Sequence, residues 1–278
     1  FEGADSKDAD VLQLLGNVLF NGNAGLIDFN LNQQQKVLTG YAGANILKDY
    51  SYLFLYGKPR EGQSLEEVKE LLLSQIDLLK QGKFSDDLVS SIITDYKLQQ
   101  TKKFESNRDR AFAFVDAFIL GEDWEKAFTQ IDRLSKITKQ DIIDFANKHL
   151  TNNYVAVFKR TGEDKNIVKV IKPQITPVDV NRDAESDFVK NLIATPSPDV
   201  KPVFIDFKKD IQELQLQNKV PVYYLKNNEN GTFNLEFITE IGTNNDRRLG
   251  LISYLEYLGT STQTAEQLKE AFYKIGCS

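Results

Sequence analysis

The sequence predicts an α+β fold, with helices packed on one face of a mainly antiparallel sheet. Three observations lead there. Apolar residues recur at helical spacing through most of the first 150 positions. Short runs with strand-like composition interrupt them. A proline-rich stretch then separates this region from a second one that opens with strands.

Residues 8–20 carry Val11, Leu12, Leu14, Leu15, Val18 and Leu19, which predicts a helix with a wide buried face. Asn21, Gly22 and Asn23 end it with residues that tolerate positive φ. A second, polar-rich helix is expected over 26–37. Strands follow at 38–47 and 50–57, the latter rich in aromatics and suited to a half-buried position. Ser64 and Glu67 have capping-box spacing, with a hydroxyl at the N-cap and a carboxylate three residues on. They open a helix that stops at Gly82. Further helices are expected from Ser85 through Leu98, over 108–120 and over 123–134. Thr138 and Asp141 cap another, running to about Leu150. Residues 154–159 read as a buried strand.

Five of the seven prolines, Pro173, Pro177, Pro196, Pro198 and Pro202, fall in the next stretch. Only a short helix-like piece near 184–193 breaks its irregularity. The expected organisation is one α+β domain over 1–160, a linker over 161–202, and the opening of a second domain over 203–278. In the last part, strands are expected at 203–207, 211–216, 220–225 and 232–241. Helices follow near 247–258 and 265–275, the latter boxed by Thr264 and Gln267. The chain reads as a segment of a longer protein, opening at Phe1 and closing just after Gly276.

Composition narrows the function. Net charge is −6, and the basic residues are scattered, so nucleic-acid binding is not expected. No apolar run approaches the roughly 18–20 residues of a membrane span. A catalytic zinc needs about three protein ligands, often two of them histidine. The chain has one histidine, His149, and one cysteine, Cys277, so it cannot build a two-histidine site. His149 lies near a helix end, where imidazole can meet the last carbonyls. No glycine-flanked serine elbow is present, and the Gly22 to Gly25 turn lacks a phosphate-loop lysine. The acidic pairs Glu66–Glu67 and Asp86–Asp87 suit first helical turns. The basic residues Lys102, Lys103, Arg108 and Arg110 suit a solvated helix face, although they could face a peptide.

One stretch is more specific. From Gly242 through Asp246, Gly250, Ser253, Glu256 and Tyr257 to Gly259 and Thr260, it resembles the insulinase/pitrilysin family of zinc peptidases. In that family, a glycine turn leads into a helix bearing His-x-x-Glu-His, followed by a Gly-Thr pair and a capped helix. Aligned on Glu256, the two histidines become Ser253 and Tyr257, so the metal motif is degenerate. Earlier residues also resemble the second domain of the family's first half: the helix from Val11 to Leu19, the turn from Gly22 to Leu26, and the run from Ile137 to Ile142 before 154–158. The resemblance implies the family's metalloendopeptidase, LuxS/processing-peptidase-like architecture. It implies zinc in an upstream catalytic domain and none in this segment. The expected partners are a peptide or unfolded protein substrate and other domains of the same protein. The segment itself would supply chamber wall, hinge and substrate surface, in the periplasm or cell envelope of a bacterium. Two other readings are a catalytically inactive scaffold or partner subunit of a two-chain peptidase, and an α+β protein of unrelated purpose.

Overall fold

The architecture is that of a computed structural model, which describes residues 1–163, 166–168 and 170–277. Helix α1 (Lys7–Leu19) lies at the centre of the core. Ser6 caps it by accepting the Asp8 N–H, and Leu12, Leu14, Leu15, Val18 and Leu19 are fully buried. Each such side chain contributes about 1.5–3 kcal/mol of transfer free energy. Strands β1 (Thr39–Asn45) and β2 (Tyr52–Lys58) form an antiparallel hairpin, with Tyr41 opposite Tyr56 and Gly43 opposite Phe54. Helix α1 packs on β1, and α2 (Leu65–Lys80) packs on β2. Helix α2 buries Val68, Leu72, Gln75, Ile76 and Leu79, a single face at helical spacing. Gly57 gives α2 its approach, because a Cβ there would collide with the Val68 side chain.

Helix α3 (Leu88–Lys103) adds Leu88, Val89, Ile92 and Ile93 to the same core. Helix α4 (Asn107–Leu120) buries only Ala117 and ends at Gly121 in the left-handed region. The helix expected over 123–134 is two pieces, α5 (Trp124–Phe128) and α6 (Gln130–Leu134). The break falls at Thr129, whose hydroxyl donates to the Glu125 carbonyl at 2.8 Å. Such back-bonding bends helices. Helix α7 (Lys139–His149) begins with the expected Thr138–Asp141 box and buries Ile142, Phe145 and Ala146.

The polar-rich helix expected over 26–37 is instead a π-helical turn over Asp28–Gln33. Its wider winding is drawn out by side chains that bond elsewhere: Asn30 donates to Gln75 and Asn32 to Gly40. It closes through the Lys36 N–H on the Leu31 carbonyl, with Gln35 at φ 50.

Residues 154–159 form no strand, contrary to expectation. A strand closes its hydrogen bonds only against a neighbour, and these residues pair with none of the strands; the short pairing of Phe1 and Glu2 with Tyr50 and Ser51 lies just ahead of β2. The runs at 203–207 and 232–241 likewise form no strand, and their apolar residues are exposed.

Contacts group residues 1–158 with 234–278, and separately residues 159–233. In the first group, a 3-10 helix covers Arg247–Tyr257, and α9 (Ala265–Lys274) carries the Thr264–Gln267 box. Helix α9 buries Tyr273 and pairs Lys274 with Asp87. The second group contains α8 (Asp187–Ala194), whose residues are all exposed. It also contains the antiparallel hairpin of β3 (Gln212–Gln215) and β4 (Pro221–Tyr224), turning through Lys219 at φ 65.

Candidate functional site

Strand β1 has two edges, and the pattern of its hydrogen bonds separates them. Gly40 gives its N–H to Asn32 Oδ1 and accepts from Asn32 Nδ2, both at 2.8 Å. Its backbone therefore points away from β2. Directions alternate along an antiparallel strand, so Ala42 and Ala44 also point their N–H and C=O to that outer edge. Among the described residues, neither makes a hydrogen bond there. The side chain of Asn32 acts as a one-residue substitute strand, closing the edge at Gly40 and leaving it open beyond.

An open cleft of about 410 Å³ runs beside this edge, with Ala42, Gly43, Ala44 and Ile46 on one wall. The opposite wall is one face of α1: Ala9, Asp10, Gln13, Gly16, Asn17 and Phe20. Gly16 brings α1 under β1, since a Cβ there would lie 2.9 Å from the Ala44 nitrogen. The floor is polar. Tyr96 Oη accepts from Asn17 Nδ2 at 2.7 Å and from Gln13 Nε2 at 3.1 Å. Gln130 Nε2 donates to Gln13 Oε1 at 2.9 Å. Burial pushes the Tyr96 phenol up to about 12, against those two amide donors, so it keeps its proton at neutral pH. The rim is braced by ion pairs. Arg133 forks onto Asp10, and Lys126 reaches Asp5 at 2.7 Å and Glu122 at 3.6 Å. The Lys126 contact holds the Asp5 carboxyl below its usual range.

The outward face of the hairpin is aromatic. The rings of Tyr41 and Tyr56 stack at 4.6 Å, Tyr41 meets Phe54 edge-on at 6.0 Å, and Phe20 approaches Tyr41 at 6.2 Å. Phe54 covers Gly43, where a Cβ would lie 3.1 Å from the ring. Phe20 therefore touches both the cleft and the aromatic strip.

The degenerate motif positions lie elsewhere. Ser253 donates to the Gly250 carbonyl within the 3-10 helix. Glu256 faces Lys269 at 3.5 Å, and the Lys269 ammonium sits 5.9 Å from the Tyr257 ring. A hydroxyl, an ion-paired carboxylate and a phenol are not a zinc donor set. Among the described residues, no group of three or more His, Cys, Asp and Glu is placed to hold a metal. His149 ends α7, with its ring 4.5 Å from Phe145 and Nε2 3.8 Å from Asp8. The turn from Asn21 to Gly25 is held by Asp28, whose Oδ2 accepts three backbone N–H groups at 2.9–3.1 Å. Burial raises the Asp28 carboxyl despite those bonds.

Gln13, Asn17, Tyr96 and Gln130 do not stand out in the sequence. Their only signal is a pair of amides four residues apart within an otherwise apolar helix.

The family model described as the Peptidase M16 inactive domain matches residues 1–96. Among solved structures, a protease from Helicobacter pylori is similar at a TM-score of 0.50 and 18% identity, over 54% of this chain and 37% of that one. The inactive peptidase domain of a candidate zinc protease from Bordetella parapertussis is similar at a TM-score of 0.48 and 17% identity, over 55% of this chain and 82% of that one. None of the curated proteins compared with the chain matches it. The chain thus spans little more than a third of the Helicobacter protease. No helix among the described residues is long and apolar enough to cross a membrane. The resemblance to the insulinase/pitrilysin zinc peptidases is supported over residues 1–96, where the chain is similar to the Peptidase M16 inactive domain.

Proposed function

We propose that this chain is a non-catalytic segment of a zinc-dependent endopeptidase, and that it holds extended peptide at the outer edge of β1. The open N–H and C=O groups of Ala42 and Ala44 beside a polar cleft carry the reading. An extended peptide can pair with such an edge through its main chain, which supplies affinity for many sequences. Zinc and the water it activates would belong to an upstream domain, where a carboxylate acts as general base. The segment then supplies wall and substrate surface, with the proline-rich 161–202 as hinge. The donor set at Ser253, Glu256 and Tyr257 also supports a second reading, an inactive scaffold or partner subunit beside a separate catalytic chain.

The variant Ala42→Pro tests the seat. It removes an edge donor without losing a ladder bond to β2. A dye-labelled extended peptide should bind the parent chain and lose about tenfold or more in affinity on Ala42→Pro. Equal binding by both proteins removes the seat. Chelator-sensitive cleavage by the longer protein separates the two readings: its absence, with activity restored by a second zinc-bearing subunit, favours the scaffold.

A further inference from the structure

The seat has two unlike faces, and we infer that it selects peptides whose side chains alternate between apolar and polar. The inference rests on the peptide-holding reading above and adds a substrate class to it. A strand added at β1 places its residues opposite those of β1, each pair sharing a face of the sheet. Peptide residues opposite Ala42 and Ala44 project their side chains inward, over the cleft. There they meet the polar floor of Gln13, Asn17, Tyr96 and Gln130, where the Tyr96 O–H and the Asn17 and Gln130 amide oxygens extend beyond the hydrogen bonds that these side chains make with one another.

Residues opposite Tyr41 and Gly43 project outward. They meet the Tyr41 ring and the Phe54 ring, which lies across the position that Gly43 leaves vacant. Tyr41 and Phe54 are each 37% exposed, so their faces are available to a neighbour. Phe20, at the end of the cleft, joins the strip at Tyr41 and makes the two surfaces continuous. Apolar or aromatic side chains gain area and ring contacts on the outer face, while polar ones keep their hydrogen bonds on the inner face. The Asn32 bridge at Gly40 fixes where the seat ends, which holds the register. A peptide slipped by one residue exchanges its faces.

The test uses the whole chain and two short dye-labelled peptides of equal composition. One alternates Phe with Gln, and the other groups the Phe residues together. Fluorescence anisotropy should show the alternating peptide binding about tenfold more tightly. Phe54→Ser and Tyr41→Ser, made separately and checked for an unchanged circular dichroism melt, should each bring the two affinities within about threefold. Equal affinities in the parent chain overturn the inference, as does a preference that survives both substitutions. If both peptides bind equally and both are lost on Ala42→Pro, the seat stands and only its selectivity falls. If neither binds, the underlying reading fails first.

Discussion

Residues 7–19 and residues 154–158 are both apolar, yet one forms the centre of the core and the other forms no regular element. Leu12 and Leu15 are wholly buried, whereas Val155 and Val157 are nearly 90% exposed. Hydrophobicity does not separate them. A helix closes its backbone hydrogen bonds within itself and needs only a surface to pack on. A strand must find a second strand before burial gains anything. Helix α1 finds β1, α3 and α7 around it. The run at 154–158 pairs with no strand and stays exposed. Apolar content is therefore necessary for burial in this chain and not sufficient for it.

The largest test of that contrast is a pair of truncations. Leu15→Ala should cost about 2–5 kcal/mol through lost transfer energy and the cavity left behind. Val155→Ala should stay within about 0.5 kcal/mol, as substitutions at exposed positions do. Urea unfolding followed by circular dichroism measures both. A Val155→Ala cost approaching that of Leu15→Ala would mean that 154–158 is packed in solution, and the contrast would collapse.

A second test concerns the one place where a side chain stands in for a strand. Asn32→Ala removes both partners of the Gly40 backbone, at a cost of about 1–3 kcal/mol. It also lengthens the open edge by one residue, so peptide affinity at the β1 seat should rise or hold while stability falls. Loss of stability and peptide binding together would place Asn32 in support of the seat itself, and would weaken the picture of a closed end beside an open one.

Much of the framework was legible because the signals were local. Thr138 with Asp141 and Thr264 with Gln267 announced their helices by side-chain chemistry alone, and both boxes form as expected. The aromatic run at 52–56 announced a half-buried strand, and its alternation is what sets the outward strip. The expected strands at 154–159, 203–207 and 232–241 failed for the opposite reason, since composition carries no information about which neighbour is at hand. The cleft was illegible on similar grounds. Gln13, Asn17 and Tyr96 acquire meaning only when α1 and α3 meet, and Asn32 only when β1 turns its edge to it. The single histidine and the Ser253, Glu256 and Tyr257 positions can be weighed against a zinc donor set from side-chain identity alone.

Capping gives the smallest test, and it compares a packed helix with an unpacked one. Thr138 caps α7, which buries Ile142, Phe145 and Ala146, and Ser186 caps α8, which buries nothing. Thr138→Ala should cost about 1 kcal/mol of global stability. Ser186→Ala should leave global unfolding unchanged and only fray α8, because an exposed helix this short is marginal by itself. The cost at Thr138 should also depend on pH. The Thr138 hydroxyl and N–H hold the Asp141 carboxyl below its ordinary value of 3.8. A carboxylate lowered in the folded state contributes stability that is complete above its unfolded value and lost as pH falls through the folded one. The difference between parent and Thr138→Ala should therefore be full at neutral pH and shrink in acid below 3.8. An NMR titration of Asp141 checks the cause directly: its midpoint should move up toward the ordinary value in the variant. A midpoint that stays put would assign the cap's contribution to the hydroxyl on the Asp141 N–H alone, with no part carried by the returning carboxylate.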